Sequence, residues 1–170
     1  MKPAIPAGTV PLISGYNEGF LMNHKEPYSE EYLAGVLADA KTIAMVGASP
    51  DPTKFSYGVL RVLHEQGFNM LPVNPNEEGK EIRGLKVYGS LQSIDQPVDM
   101  VQVFRASHAL VGIACEAVDI GAKILWGQIG VYNEEAAKIA EAAGMRVVMD
   151  RCPKIELFRP FWKPKLGQVI

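Results

Sequence analysis

The chain has 170 residues and a mass of 18.6 kDa, enough for one domain with some additional chain. Apolar residues make up 48% and charged residues 21%, so the sequence can bury a core and is not that of a disordered protein. A formal net charge of −2 disfavours nucleic acid as a partner, no apolar run reaches the roughly 18 residues of a membrane span, and the scattered two cysteines and three histidines predict no metal site.

The N-terminal segment, residues 1–28, has no steady apolar period and contains four prolines and three glycines. It also lacks the apolar stretch of a secretory signal, so we expect a cytoplasmic protein. We interpret these residues as an arm that is either mobile or held against a surface, and residues 159–170 as a C-terminal tail. We expect His24 in the arm and His64 on a later helix to be solvated or capping residues rather than catalysts.

Helices and strands alternate over residues 29–158, which we interpret as the domain. Ser29 is predicted to cap a first helix, and Glu30 and Glu31 favour its dipole. The predicted strands are five short apolar runs, at 42–46, 70–73, 98–104, 123–126 and 146–149. Because these runs are nearly continuous and alternate with amphipathic helices, they predict an α/β fold: a single doubly wound, mainly parallel five-stranded sheet, Rossmann-like, with helices on both faces.

Capping residues and a glycine predict where the other helices begin or end. A helix over 57–66 is predicted to end at Gly67, Ser107 is predicted to cap the next helix, and Asn133 the last. Residues 76–96 are too long for a simple loop, so we expect a short hairpin or turn pair around Arg83-Gly84-Leu85.

The loop after the first strand, residues 47–58, is the candidate ligand site. Ligands of open α/β sheets bind beyond the carboxyl ends of the strands, where the strand order reverses. Gly47 allows a tight turn, and the small Ala48 and Ser49 let a phosphate approach the backbone amides at the start of the next helix. A plain turn in a ligand-free fold is the alternative.

Two absences narrow the ligand class. The GxGxxG and GKS/GKT patterns are missing, so neither an orthodox dinucleotide site nor an NTPase is indicated. Asn74-Pro75-Asn76 follows the second strand in place of the acidic residue that binds a ribose diol. The site is therefore predicted to take a nucleotide that has phosphates but no such free diol.

Five ordered blocks of the sequence carry a family resemblance. They are Val46-Gly47-Ala48-Ser49, Pro72-Val73-Asn74-Pro75, Val103-Phe104-Arg105, Trp126-Gly127-Gln128-Ile129-Gly130 and Met149-Asp150-Arg151-Cys152-Pro153. In order and spacing they resemble the small stand-alone CoA-binding domain proteins, which are similar to the CoA-binding domain of the succinyl-CoA synthetase alpha subunit. The resemblance spans about residues 30 to 158 and does not reach the arm.

The resemblance implies that coenzyme A or acyl-CoA is the ligand. It places the pyrophosphate on Ala48-Ser49 and the adenosine near Asn74-Pro75. An acidic residue after the second strand would repel the 3′-phosphate of CoA, whereas Asn74 can donate hydrogen bonds to it. The available cations are Lys54, Arg83 and Arg105. The candidate binding residues are Gly47, Ala48, Ser49, Lys54, Ser56, Tyr57, Asn74, Pro75, Val103, Phe104, Arg105, Trp126 and Gln128.

Each of these assignments has a structural alternative. Trp126 can be a core residue, Lys54 and Arg83 can be ordinary surface charges, and Asn74-Pro75 can be no more than a turn.

The sequence shows no paired nucleophile and base. Ligases that share this domain work through a phosphorylated histidine in a further domain that these residues do not contain. We therefore expect a non-catalytic binding module; a regulatory role, a homodimer and an unknown protein partner are left open. The alternatives are an enzyme acting on CoA thioesters or CoA disulfide through Cys152 or His108, and an NAD(P)-binding redox protein. Cys152 and Cys115 are both expected to be buried.

Overall fold

Five parallel strands form the central sheet of the computed structural model, which describes residues 21–159. In chain order they are β1 (Thr42–Val46), β2 (Asn69–Val73), β5 (Met100–Val103), β6 (Ile124–Gly127) and β7 (Arg146–Val148), and they are arranged β2-β1-β5-β6-β7. The intervening β3 (Glu81–Ile82) and β4 (Leu85–Lys86) form a separate antiparallel hairpin. The turn residues Arg83 and Gly84 have φ of 52° and 78°, the combination typical of a two-residue hairpin turn, so the predicted hairpin is confirmed.

Helices cover both faces of the sheet. They are α1 (Glu30–Asp39), α2 (Phe55–Glu65), α3 (Leu110–Asp119), α4 (Glu134–Ala142) and α5 (Pro153–Leu157). Successive residues of a strand point to opposite faces, so Ile43 and Met45 pack with residues of α1 and α2, while Ala44 and Val46 pack with residues of α3 and α4. This arrangement is the predicted doubly wound α/β fold. No helix in the described part of the chain has the length and apolar character needed to cross a bilayer.

Two of the three predicted helix caps are confirmed. The Ser29 hydroxyl accepts a hydrogen bond from the backbone N–H of Tyr32 at 3.1 Å, and the Asn133 side chain accepts one from that of Ala136 at 3.0 Å. Each bond satisfies an N–H group that has no partner within its helix, which typically stabilises a helix by about 1 kcal/mol.

The prediction that Ser107 caps α3 is wrong. A single helical turn, Ser107–Ala109, precedes α3, so the α-helix begins three residues later at Leu110. The Ser107 hydroxyl instead donates to the carbonyl of Gly130 at 3.2 Å and accepts from the backbone N–H of Tyr132 at 3.0 Å. It ties the loop after β5 to the loop after β6.

The last part of the arm packs against the domain. His24 is only 8% exposed, and its Nε2 lies 3.1 Å from the Oε1 of Glu141 on α4. Its Nδ1 lies 2.7 Å from the hydroxyl of Tyr28, which accepts a hydrogen bond from the backbone N–H of Met149 at 2.8 Å. The expectation of a solvated or capping His24 is therefore wrong, because tertiary partners far along the chain bury it. His64 is exposed on α2, as expected.

Residues 1–20 and 160–170 lie outside the described residues, and with them most of the predicted arm and tail.

Candidate functional site

The glycine turn after β1 lies at the point where the strand order reverses, between β1 and β5. Gly47 has a φ of +91°, which side-chain-bearing residues rarely adopt. A Cβ added there would lie 2.5 Å from the carbonyl oxygen of Phe104, the residue after β5. Position 47 therefore requires glycine for both conformation and space.

Asn74 holds the glycine turn against the end of β2. Its Nδ2 donates to the carbonyl oxygen of Ala48 at 2.8 Å, and its Oδ1 accepts from the backbone N–H of Asn76 at 2.9 Å. The backbone N–H of Gly47 also donates to the carbonyl of Val73 at 3.0 Å. Asn74, the residue after β2, is thus a structural clamp, and its second Nδ2 proton has no partner within residues 21–159.

The loop from Ser49 to Lys54 leads into α2 and is held together by Asp51. The backbone N–H of Thr53 donates to the Asp51 carboxylate at 2.9 Å, and the Thr53 hydroxyl donates to it at 2.7 Å. These two hydrogen bonds, the backbone one first, hold the pKa of the Asp51 carboxyl below its usual value. Lys54 occupies the N-cap position of α2 without a side-chain hydrogen bond. Within the described chain no side chain caps this 11-residue helix, and the backbone N–H of Tyr57 in its first turn donates to the carbonyl of Lys54 at 3.1 Å. The positive end of the helix dipole at this point is suited to an anion.

The hairpin brings a cation back to this loop. The guanidinium carbon of Arg83, in the β3–β4 turn, lies 5.6 Å from the centre of the Tyr57 ring on the first turn of α2. Two exposed cations, Lys54 and Arg83, therefore lie near the start of α2.

Two crevices open at the carboxyl edge of the sheet, and the neighbouring residues Phe104 and Arg105 each border one of them. The first, which we call the apolar crevice, has a volume of about 310 Å³ and is lined mainly by Phe55, Val59, Phe104, Gln128, Cys152 and Ile155. The second, which we call the β2-side crevice, has a volume of about 360 Å³ and is lined by residues that include Val73, Pro75, Ser90, Leu91, Arg105 and Glu116.

Several of the predicted site residues lie at this edge with accessible side chains or backbone. They are Gly47, Ser49, Lys54, Tyr57, Asn74, Pro75, Phe104 and Arg105. Two other predicted site residues are buried: Ser56 is 5% exposed, and Ala48 is fully buried with its carbonyl oxygen accepting from the Nδ2 of Asn74.

Trp126 and Val103 belong to the core, which corrects their assignment as contact residues. The Trp126 ring is fully buried, and its Nε1 donates to the carbonyl oxygen of Arg151 at 2.8 Å, so a ligand at the edge has no access to it. Val103 is also fully buried, and its carbonyl oxygen accepts from the backbone N–H of Gln128 at 3.2 Å. Both residues position the loops around the crevice.

A buried glutamine pair lies beneath the apolar crevice. Gln102, in the middle of β5, is fully buried, and its Nε2 donates to the Oε1 of Gln128 at 3.2 Å. The Oε1 of Gln102 has no hydrogen-bond partner among the residues that the structure describes. Sequence reasoning missed the pairing with Gln102, although a glutamine inside an apolar strand was a visible signal of a buried polar contact.

The two cysteines differ in exposure. Cys152 is 4% exposed and lines the apolar crevice, which confirms its predicted burial. Cys115 is exposed on α3, so the expectation that it is buried is wrong: its neighbours Ile113 and Ala114 point into the core, and the helical rotation carries residue 115 outwards. His108 is exposed on the turn before α3 and makes no hydrogen bond or ion pair within the described residues.

The strand order and the glycine turn define a doubly wound α/β protein with ligand crevices at its switch point. Residues 41–157 match the family model of the CoA binding domain. The chain belongs to this CoA-binding domain family, as the resemblance of the five sequence blocks implied.

Known proteins similar to this chain include single-domain proteins and parts of ligases. The uncharacterized protein YneT of Bacillus subtilis is 38% identical over 127 residues, which cover 75% of this chain and 93% of that protein. The ADP-forming acetate–CoA ligase II subunit alpha of Pyrococcus furiosus is 33% identical over 121 residues, covering 65% of this chain and only 26% of the subunit. A solved structure of a hypothetical protein from Pyrococcus horikoshii OT3 has a TM-score of 0.73 at 34% identity and covers 80% of this chain and 96% of that one.

Proposed function

We propose that this chain binds coenzyme A or an acyl-CoA at the carboxyl edge of its sheet, as a non-catalytic binding module. The observation that carries the proposal is the Gly47 turn, which is packed on the Phe104 carbonyl and clamped by Asn74 beside the uncapped start of α2. Membership of the CoA-binding domain family supports the choice of ligand.

The pyrophosphate of CoA has a suitable site at the start of α2. The small Ser49 is partly exposed in the turn before this helix, and the helix dipole favours an anion there by about 0.3–1 kcal/mol. Lys54 and Arg83 add positive charge at the same end.

The adenosine portion suits the β2-side crevice. Pro75 and Arg105 line it, and Asn74 at the end of β2 has no negative charge to repel a 3′-phosphate. The same feature disfavours NAD, whose ribose diol is normally bound by an acidic residue at this position.

The crevice thiol is not paired with a base in the described residues, which favours binding without catalysis. Cys152 has no hydrogen bond to a base within residues 21–159, and His108 lines neither crevice. The alternative of an enzyme acting on CoA thioesters or CoA disulfide depends on Cys152, because this thiol does line the apolar crevice.

A charge reversal at each edge of the sheet tests the location of the phosphates. Lys54 lies at the carboxyl edge, while Lys41, immediately before β1, lies at the amino edge, and both are exposed. Isothermal titration of CoA should show at least tenfold weaker binding to Lys54→Glu and unchanged binding to Lys41→Glu. Equal effects of the two substitutions would contradict a phosphate site at the start of α2.

A further inference from the structure

Three exposed apolar side chains surround the mouth of the apolar crevice. Phe55 is 86% exposed, Ile129 56% and Ile155 48%, and all three line this crevice. They come from three separate elements: the start of α2, the loop after β6, and α5. Exposed apolar residues that stand alone are common, but several that converge on one cavity mark a binding surface for an apolar group.

The interior of the crevice continues this apolar character. Val59, Phe104 and Cys152 form deeper walls, and among residues 21–159 the polar side chains in the lining are those of Gln128 and Lys154. A volume of about 310 Å³ lies at the lower end of the range for small-molecule sites, which are typically apolar with a few placed polar groups.

Gln128 supplies one such polar group. The side chain is only 8% exposed, and its Oε1 is occupied by the hydrogen bond from Gln102. The Nε2 of Gln128 has no hydrogen-bond partner in the described part of the chain, although the residue lines the crevice. This N–H group reaches the surface of the crevice and is therefore available to a carbonyl oxygen brought by a ligand.

We propose that the apolar crevice binds the hydrocarbon chain of an acyl-CoA and that the Nε2 of Gln128 donates to the thioester carbonyl. The inference rests on the proposed CoA function, and continuity of the two sites supports it. Phe55 follows Lys54 directly, so the mouth of the crevice begins one residue after the helix start that we assign to the phosphates. The pantetheine portion of a CoA molecule whose phosphates bind at this helix start would therefore lie beside the crevice.

The chain-length dependence of affinity tests this proposal with the full-length protein. Isothermal titration would compare CoA with its acetyl, butanoyl, hexanoyl and octanoyl thioesters. Burial of each additional methylene should strengthen binding by about fourfold until the crevice is full. Hexanoyl-CoA should therefore bind at least tenfold more tightly than acetyl-CoA.

A thioether analogue tests the role of Gln128. S-hexyl-CoA keeps an alkyl chain but lacks the thioester carbonyl, so it should bind about fivefold more weakly than hexanoyl-CoA because one hydrogen bond is lost. Equal affinities would overturn the assignment of Gln128 to the carbonyl.

A surface variant with a matched control locates the bound acyl chain. Ile129→Asp should abolish the chain-length dependence and leave the affinity for CoA itself within twofold. Phe158→Asp is the control, because Phe158 is similarly exposed at 47% and does not line the crevice. Phe158→Asp should keep the dependence of affinity on acyl-chain length.

The possible failures are distinguishable. Failure of every CoA compound to bind would overturn the proposed function and this inference together. Binding of CoA with the same affinity across the series would overturn the acyl-chain inference alone. A second copy of the protein is the other possible occupant of the crevice. If sedimentation showed a wild-type dimer that Ile129→Asp dissociates, and if the length of the acyl chain had no effect on affinity, a second copy would be the occupant and the inference would be overturned.

Discussion

The carbonyl oxygen of Phe104 occupies the space that a side chain on residue 47 would need, since a Cβ added to Gly47 would lie 2.5 Å away. The contact joins the ends of β1 and β5, the two strands between which the sheet order reverses. The space around the turn after β1 is therefore set by direct backbone packing between neighbouring strands. The site depends on this packing, because a shift of either loop changes the position of the amides at Ala48 and Ser49.

Gly47→Ala should therefore weaken CoA binding at least tenfold and destabilise the fold by about 1–3 kcal/mol, because it adds both backbone strain and a clash. Gly67→Ala is a matched control: Gly67 has a φ of +97°, but an added Cβ meets nothing within 4 Å. That variant should lose about 1–2 kcal/mol from strain alone and keep its affinity. Urea unfolding and titration calorimetry measure the two quantities, and equal affinity losses in both variants would contradict the account.

Asn74→Asp should reduce the preference for CoA over 3′-dephospho-CoA. The new carboxylate lies at the end of β2, where we place the adenosine portion, and it repels the additional phosphate. It also removes the hydrogen bond to Ala48, which weakens both ligands, so the ratio of the two affinities is the informative quantity. An unchanged ratio would contradict the placement of the 3′-phosphate near Asn74.

The reactivity of Cys152 distinguishes a passive module from an enzyme. Cys115 is exposed and should react quickly with a thiol reagent, so the experiment needs a Cys115→Ala background. Cys152, at 4% exposure, should then react slowly with or without CoA. Fast labelling that CoA suppresses would favour CoA-thiol chemistry over simple binding.

The half-buried Tyr28 of the arm predicts a loss of stability in alkali. Burial raises the pKa of Tyr28 from 10.0 to about 12, so between these values the unfolded chain loses this proton before the folded chain does. This group should therefore lower the free energy of unfolding as the pH rises from 10 to 12, and it should contribute no pH dependence below that window. Urea unfolding at pH 9 and pH 11.5 should show a smaller decrease for Tyr28→Phe than for wild type; equal decreases would contradict the assignment.

Local periodicity was sufficient to predict the sheet, because each strand is a short apolar run and each helix has an apolar face. The positions of β1, the hairpin turn and the caps at Ser29 and Asn133 follow from side chains and turns that act within a few residues. The glycine turn was also visible, since Gly47 carries a requirement that no other residue type meets.

Features that depend on distant parts of the chain were not predictable. His24 is buried by Glu141, a residue 117 positions away, and the Ser107 hydroxyl serves loops beyond its own helix. Trp126 lies at a strand end in sequence, yet its neighbours bury it completely. The helix α5, five residues long, is too short to show a period in the sequence and was not predicted.

The central claim is that the carboxyl edge of this sheet binds CoA. Calorimetry with CoA, 3′-dephospho-CoA and NAD tests this claim most directly. The account predicts that CoA binds most tightly, 3′-dephospho-CoA more weakly because it lacks the phosphate near Asn74 and the cations, and NAD more weakly still. Tightest binding of NAD, or no binding of CoA to the folded protein, would contradict it.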